Sequence, residues 1–194
     1  MGGIVKICGL MTESQVEAAF AAGADLGGVI LGPGRRHVPF EAAQAWARRW
    51  PGRLVAVLWG ASDEVWARLF EAPWAGLQVY DGPMPDWADR ARARNLLTIR
   101  PGQREEDRGA ADVLLLEGPR PGSGERLPWH ALPRPLGRFW LAGGLDPDNV
   151  GEAVAALKPA GVDVSSGVER KGEKDAGMMR EFVRRAREAM ACHG

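Results

Sequence analysis

The side chains able to do chemistry are few, and the first pair comes almost at once. In VKICGL, at 5–10, Cys8 stands two positions after Lys6. In an extended segment that spacing puts both side chains on one face, so an ammonium and a thiol share an environment. A thiol has a reference pKa of about 8.5, and a neighbouring cation or backbone dipoles can lower it enough to supply thiolate at neutral pH. Such a group serves as a nucleophile or a general base, unless Cys8 is only a small apolar filler. Further along, GPGRRH at 32–37 offers Arg35 and Arg36. Their planar forks suit carboxylate or phosphate, with plain solvated arginines as the alternative. Glu117 closes the apolar run DVLLLE, and AGG at 142–144 and SSG at 165–167 supply glycines. Backbone N–H groups at such glycines can approach an anion closely, or the glycines simply form turns.

These groups need elements to bring them together. Short apolar, β-branched runs alternate with amphipathic stretches, the pattern of strands joined by crossover helices. Eight strands are predicted, at 4–8, 26–31, 54–59, 76–80, 96–100, 112–117, 138–143 and 161–166. Thr12 and Gln15 fit a capping box, with Gly23 as the stop. Ser62 opens another helix, Asp146 with Pro147 a third that ends at Pro159, and a last helix spans about 175–190, burying Met179, Phe182, Val183, Ala186 and Met190. The connection at 101–110 is short and charged, and the one at 118–137 carries five prolines that preclude a long helix. A loop of that length in so compact a chain is more often functional than idle.

Eight such units predict an α/β fold, a single closed parallel (β/α)8 barrel over 1–194, of minimal size, with shortened helices after strands five and six. An open doubly wound sheet is the competing topology, but no G-x-G-x-x-G follows the first strand. Barrel chemistry sits at the C-terminal ends of the strands. Those ends are Cys8, the 32–37 segment, Trp59, Gln78 with Tyr80, Arg100, Glu117, Gly143 with Gly144, and Ser166 with Gly167. Strand parity turns Lys6 and Cys8 inward and Val5 and Ile7 outward, and on the eighth strand turns Asp163 and Ser165 inward. Because closure pairs the first strand with the last, Lys6 and Asp163 are predicted to meet. That contact suits a structural ion pair, or else Lys6 is a catalytic amine.

Composition narrows the function classes. Twenty-five basic residues balance twenty-five acidic ones, so no net field favours nucleic acid or an anionic membrane. No apolar run approaches the roughly 20 residues of a membrane helix, and the N-terminus lacks the apolar core of a signal peptide. A cytoplasmic protein is expected, with Cys8 and Cys192 as free thiols. His37, His130 and His193 show no zinc-site spacing, so no metal is expected.

On these residues the chain resembles the phosphoribosylanthranilate isomerase family. The segments that carry the resemblance are VKICGL, RRHVPFEAA, LQVYDG, LLLEGPRPGSGE, LAGGLDPDNV and VDVSSGVERKGEKD, spread along the whole chain in order. The resemblance implies a barrel enzyme of tryptophan biosynthesis that performs an Amadori rearrangement on a small phosphorylated substrate, without cofactor or metal. It implies Cys8 as general base, Arg36 as a contact to the anthranilate part, a phosphate site at Gly143, Gly144, Ser166 and Gly167, and a closing loop at 121–125 containing Gly122 and Gly124. Gln78 and Tyr80 complete the expected substrate-binding set, and Lys6 and Asp163 support it from below. Two positions depart from the family pattern: Glu117 stands where the general acid is an aspartate, and Tyr80 where a histidine is usual. Glutamate has similar acidity but one more methylene, which moves its carboxyl by about 1 Å. A working isomerase using Glu117 is the leading expectation. A relative acting on another phosphorylated sugar amine and a noncatalytic phospholigand barrel are the alternatives. A monomer or a homodimer fits, since eight tryptophans can serve a core or an interface.

Overall fold

A computed structural model describes residues 3–82, 86–118, 126–132, 135 and 137–192. Eight parallel strands close into a barrel in sequence order: β1 (Ile4–Ile7), β2 (Leu26–Ile30), β3 (Leu54–Leu58), β4 (Gly76–Val79), β5 (Leu97–Gly102), β6 (Val113–Leu116), β7 (Phe139–Leu141) and β8 (Gly161–Val164). Each is where the apolar pattern predicts it, most ending one or two residues early, while β5 runs two residues further. The barrel shuts by pairing β1 with β8, in a register that sets Lys6 against Asp163 and Ile7 against Val164.

Alternation sorts the strand residues into two cores. Val5, Ile7, Leu54, Ala56, Leu58, Leu114, Leu116, Val162 and Val164 point out and pack under the helices. Val55, Val57, Ile99, Val113, Leu115 and Trp140 fill the interior, capped by Cys8 and Ala142. The indole of Trp140 is fully buried, and Gly161 makes room for it, since a Cβ there would lie 2.8 Å from Trp140 Cδ1. The barrel is therefore a packed plug with its open end above Cys8.

The covering helices are α1 (Glu13–Ala21), α2 (Phe40–Arg49), α3 (Asp63–Arg68), α4 (Trp87–Arg92), α5 (Val150–Leu157) and α6 (Ala176–Ala191). After β5 and β6 the described connections hold only single 3-10 turns, Glu105–Arg108 and Trp129–Ala131, in keeping with the charged and proline-rich sequence there. α6 buries Met179, Phe182, Val183, Ala186 and Met190 as its periodicity predicts, and Cys192 sits exposed at its C-cap. Two caps differ from expectation. Gln15 reaches back to the N–H of Met11 at 2.8 Å instead of closing the box on Thr12. Asp146 does not begin a helix: its Oδ1 accepts from the N–H groups of Asp148 and Asn149, tightening a turn that delays α5 to Val150. The end of α5 is as expected: Lys158 caps it in a left-handed conformation, φ 50°, directly before Pro159. Among the described residues no helix is long and apolar enough to cross a membrane.

Candidate active site

The floor of the open end is built by β1, β4 and β8. Lys6 Nζ, wholly buried, donates to Asp163 Oδ2 at 2.8 Å and to Gln78 Oε1 at 2.9 Å. The predicted meeting of Lys6 and Asp163 is therefore present. Space for it comes from Gly28 on β2, where a Cβ would stand 2.7 Å from Cys8 Sγ and 3.1 Å from Lys6 Nζ. Burial pulls the ammonium toward neutrality, but Asp163 and Cys8 outweigh it and hold the Lys6 pKa above the ordinary lysine value. Asp163 Oδ1 is buried without a hydrogen-bond partner among the described residues.

Burial is the largest influence on the state of Cys8. Burial pushes the thiol up, Lys6 pulls it down, and Asp163 pushes it up again, leaving its pKa above the ordinary value. Lys6 does lower the thiol as expected, but not far enough to bring it below the ordinary value. The lysine is present, but desolvation at 7% exposure and the carboxylate of Asp163 outweigh it. Resting Cys8 is a thiol.

Glu117, just past β6, stands three strands from Cys8 around the ring and is 8% exposed. Burial raises its pKa to about 7, against the pull of a hydrogen bond from Tyr80. Burial likewise drives the Tyr80 phenol well above its usual range, reinforced by Glu117, so Tyr80 is a neutral donor. Its oxygen accepts from Gln78 Nε2 at 3.1 Å, and its ring stacks on Trp59 with centroids 5.3 Å apart. Trp59, 51% exposed, is the one large apolar side chain exposed among the described residues.

Above the thiol the loops after β7 and β8 approach each other. Gly143 and Gly144 take φ of 82° and 69°, and Asn149 Nδ2 holds the Gly144 carbonyl at 2.8 Å. A Cβ on Gly167 would lie 1.8 Å from the Leu145 carbonyl oxygen, so only glycine lets these loops come together. Gly143, Gly144 and Ser166 line the same cavity as Cys8, Glu117 and Arg36. Gly122 and Gly124 fall outside the described residues.

The arginines are not loose. Arg36 grips Glu169 with Nε to Oε1 at 2.9 Å and Nη2 to Oε2 at 3.1 Å, and Arg35 adds 2.9 Å to Oε2. Lys174, with a wholly buried side chain, donates to Oε1 at 2.8 Å and to the Ser165 carbonyl at 2.9 Å. Burial tends to raise the Glu169 pKa, but Arg36 and Lys174 hold it down to about 2. One carboxylate thus faces three cations, leaving a positive rim beside the loops after β7 and β8. Glu169 and Lys174 were missed as site residues; they lie on a two-strand hairpin, Glu169–Arg170 with Glu173–Lys174, and the alternating charges of VERKGEKD were the available signal. Trp59 too was read only as a strand end. Among the described residues no group of three metal-ligating side chains converges.

The comparisons with known proteins agree in direction. A family model described as N-(5'phosphoribosyl)anthranilate (PRA) isomerase matches residues 5–185. The N-(5'-phosphoribosyl)anthranilate isomerase of Streptococcus pneumoniae (strain Hungary19A-6) is 34% identical over 193 residues, covering 96% of this chain and 97% of its own. The crystal structure of phosphoribosyl anthranilate isomerase from Thermus thermophilus superposes with a TM-score of 0.76 at 34% identity, covering 94% of this chain and 97% of that one. A phosphoribosyl anthranilate isomerase in complex with reduced 1-(o-carboxyphenylamino)-1-deoxyribulose 5-phosphate gives 0.72 at 25% identity, covering 96% and 99%.

Proposed function

This chain belongs to the N-(5'-phosphoribosyl)anthranilate isomerase family, and from that premise we propose that Cys8 is the general base and Glu117 the general acid of its reaction. The activity is the Amadori rearrangement of tryptophan biosynthesis. It converts N-(5-phosphoribosyl)anthranilate, an aminoaldose, into 1-(2-carboxyphenylamino)-1-deoxyribulose 5-phosphate.

Two protons must move. Opening the furanose requires one on the ring oxygen: Glu117 gives it, the bond from carbon 1 to that oxygen breaks, and the nitrogen lone pair forms an iminium. The iminium acidifies the proton on carbon 2, which the Cys8 thiolate removes. The released pair forms the enolamine and neutralises the nitrogen. Loss of the enol proton and protonation of carbon 1 complete the ketose. An acid and a base on separate sides of the sugar are needed, because neither group can serve both ends at once. Lys6 is the cation that meets the negative charge of the thiolate, and Asp163 keeps that ammonium charged.

The rim accounts for the two anionic ends of the substrate. Gly143, Gly144, Ser166 and Gly167 are proposed to hold the phosphate through close backbone approach. Arg36, held flat by Glu169, is proposed to meet the anthranilate carboxylate with the donors that Glu169 leaves free. Trp59 and Tyr80 offer the aromatic ring an apolar wall.

The observation that carries the assignment is that Cys8 and Glu117 face one cavity from strands three apart, with the buried Lys6 ammonium beneath. The test is turnover of in-situ generated phosphoribosylanthranilate, followed by decay of its fluorescence. Cys8→Ala and Glu117→Gln should each remove most of the activity, and near-wild-type turnover in either variant refutes that residue's role.

A further inference from the structure

We propose that Lys174 is a positioning residue that ties the two anion-binding ends of the site together: its ammonium holds the Ser165–Ser166 peptide of the loop after β8 and, through Glu169, the fork of Arg36. This rests on the reading of that loop as the phosphate site and of Arg36 as the contact to the carboxylate. An ammonium has three donors, and Lys174 uses all of them inside the protein: on Glu169 Oε1 at 2.8 Å, on the Ser165 carbonyl at 2.9 Å and on Ser165 Oγ at 3.4 Å. Its side chain is wholly buried, so no donor is left for a ligand, and its effect on the substrate must pass through these partners. The hairpin makes this possible by pairing Lys174 directly across from Glu169.

Each partner carries the constraint onward. A trans peptide is planar, so with the Ser165 carbonyl drawn to the ammonium the N–H of Ser166 must point the opposite way. Ser166 lines the cavity, and the lysine thereby sets the direction of a donor assigned to the phosphate. On the other side, Oε1 of Glu169 is shared between Lys174 and Arg36 Nε, at 2.8 and 2.9 Å, which fixes the carboxylate plane against which the guanidinium lies. The two arms also meet at Gly9, the residue after Cys8: at its φ of 71° a Cβ would lie 2.6 Å from Arg36 Cδ and 2.9 Å from Ser165 Oγ. The Arg36 stem and the Ser165 hydroxyl thus rest on one glycine.

Lys174→Met keeps most of the side-chain volume, and Arg36 and Arg35 still neutralise Glu169, so no carboxylate is stranded. Inorganic phosphate and benzoate, each as a competitive inhibitor of turnover, report the two ends separately. Both inhibition constants should rise by about 10-fold, the lower end for a lost hydrogen bond to a charged group, and KM with them. The kcat should stay within about 3-fold, because burial dominates the Cys8 thiol and Lys174 is the weakest of the influences on it. Glu169→Gln cuts only the arm to Arg36: it should raise the constant for benzoate and leave that for phosphate within about 2-fold. Lys174→Gln, equally uncharged, should show the same pair of shifts as the methionine variant, and it decides the matter if that variant does not fold. A rise confined to one anion in the Lys174 variants, no rise for either, or a loss of kcat with both constants intact overturns the proposal. A wild-type enzyme that neither anion inhibits competitively removes the reading of the two anion ends instead, and the proposal falls with it.

Discussion

Replacing Lys6 with methionine keeps most of the side-chain volume and deletes one charge at the centre of the barrel. Asp163 then loses its partner at 2.8 Å while its other oxygen already has none, so the variant contains a buried carboxylate with no donor. Removing one member of a buried pair costs about 3–5 kcal/mol, a large share of the roughly 5–15 kcal/mol that holds a domain folded. The loss should depend on pH. Burial already pushes the Asp163 carboxyl above its ordinary range against the pull of Lys6, and removing Lys6 lifts it further. Between the unfolded value of about 3.9 and the folded one, the native state then binds one proton more than the unfolded chain. Stability in that window falls as pH rises, by about 1.4 kcal/mol per unit. The wild-type carboxyl, also raised, shares that slope only up to its own lower folded value, and its ammonium stays charged throughout, so the penalty grows between the two folded values. Urea unfolding followed by tryptophan fluorescence at pH 5 through 8 should therefore show a variant penalty that grows with pH. The double variant Lys6→Met with Asp163→Leu should recover most of the stability and none of the activity. A penalty under about 1 kcal/mol at pH 7, or one that is flat from pH 5 to 8, refutes the reasoning.

Two further outcomes follow from the site. Because the Cys8 thiol lies above its ordinary value and Glu117 at about 7, the reactive combination of thiolate and carboxylic acid is a minority state. Its population rises up to about pH 7, stays level above it, and falls only beyond the thiol pKa; a kcat/KM profile that declines immediately above pH 7 contradicts this order. Glu169→Gln removes the carboxylate gripped by Arg36, Arg35 and Lys174, whose pKa of about 2 corresponds to up to about 3 kcal/mol of stability at pH 7. A depressed pKa stabilises above the unfolded value and ceases to do so as pH falls through about 2, so the penalty should vanish in strong acid, and KM should rise at neutral pH as Arg36 loses its orientation.

Much of the architecture was legible from local pattern. The apolar runs located all eight strands because a parallel strand buried on both faces has no alternative reading in a chain this short. Period two turned Lys6, Cys8 and Asp163 inward, and closure paired β1 with β8. Helix ends were less legible: Asp146 and Asn149 bond to the turn before α5, a local competition that residue preference alone does not resolve.

The sequence by itself determined the strand pattern, the faces on which the chemical groups stand, and the resemblance carried by KICG, AGGL and SSGVE. The tertiary structure alone decided what those groups are at rest. Whether the Cys8 thiol ends above or below its ordinary value depends first on how completely water is excluded from it, and then on the balance between Lys6 and the carboxylate of Asp163, 155 positions away. Whether Arg36 is loose or clamped depends on a hairpin that folds back from β8 to bring Glu169 to it. The state of Glu117 depends on how far the closed barrel removes its carboxyl from water. Local preferences act over a few residues, whereas charge and desolvation act through space, and only folding sets those distances.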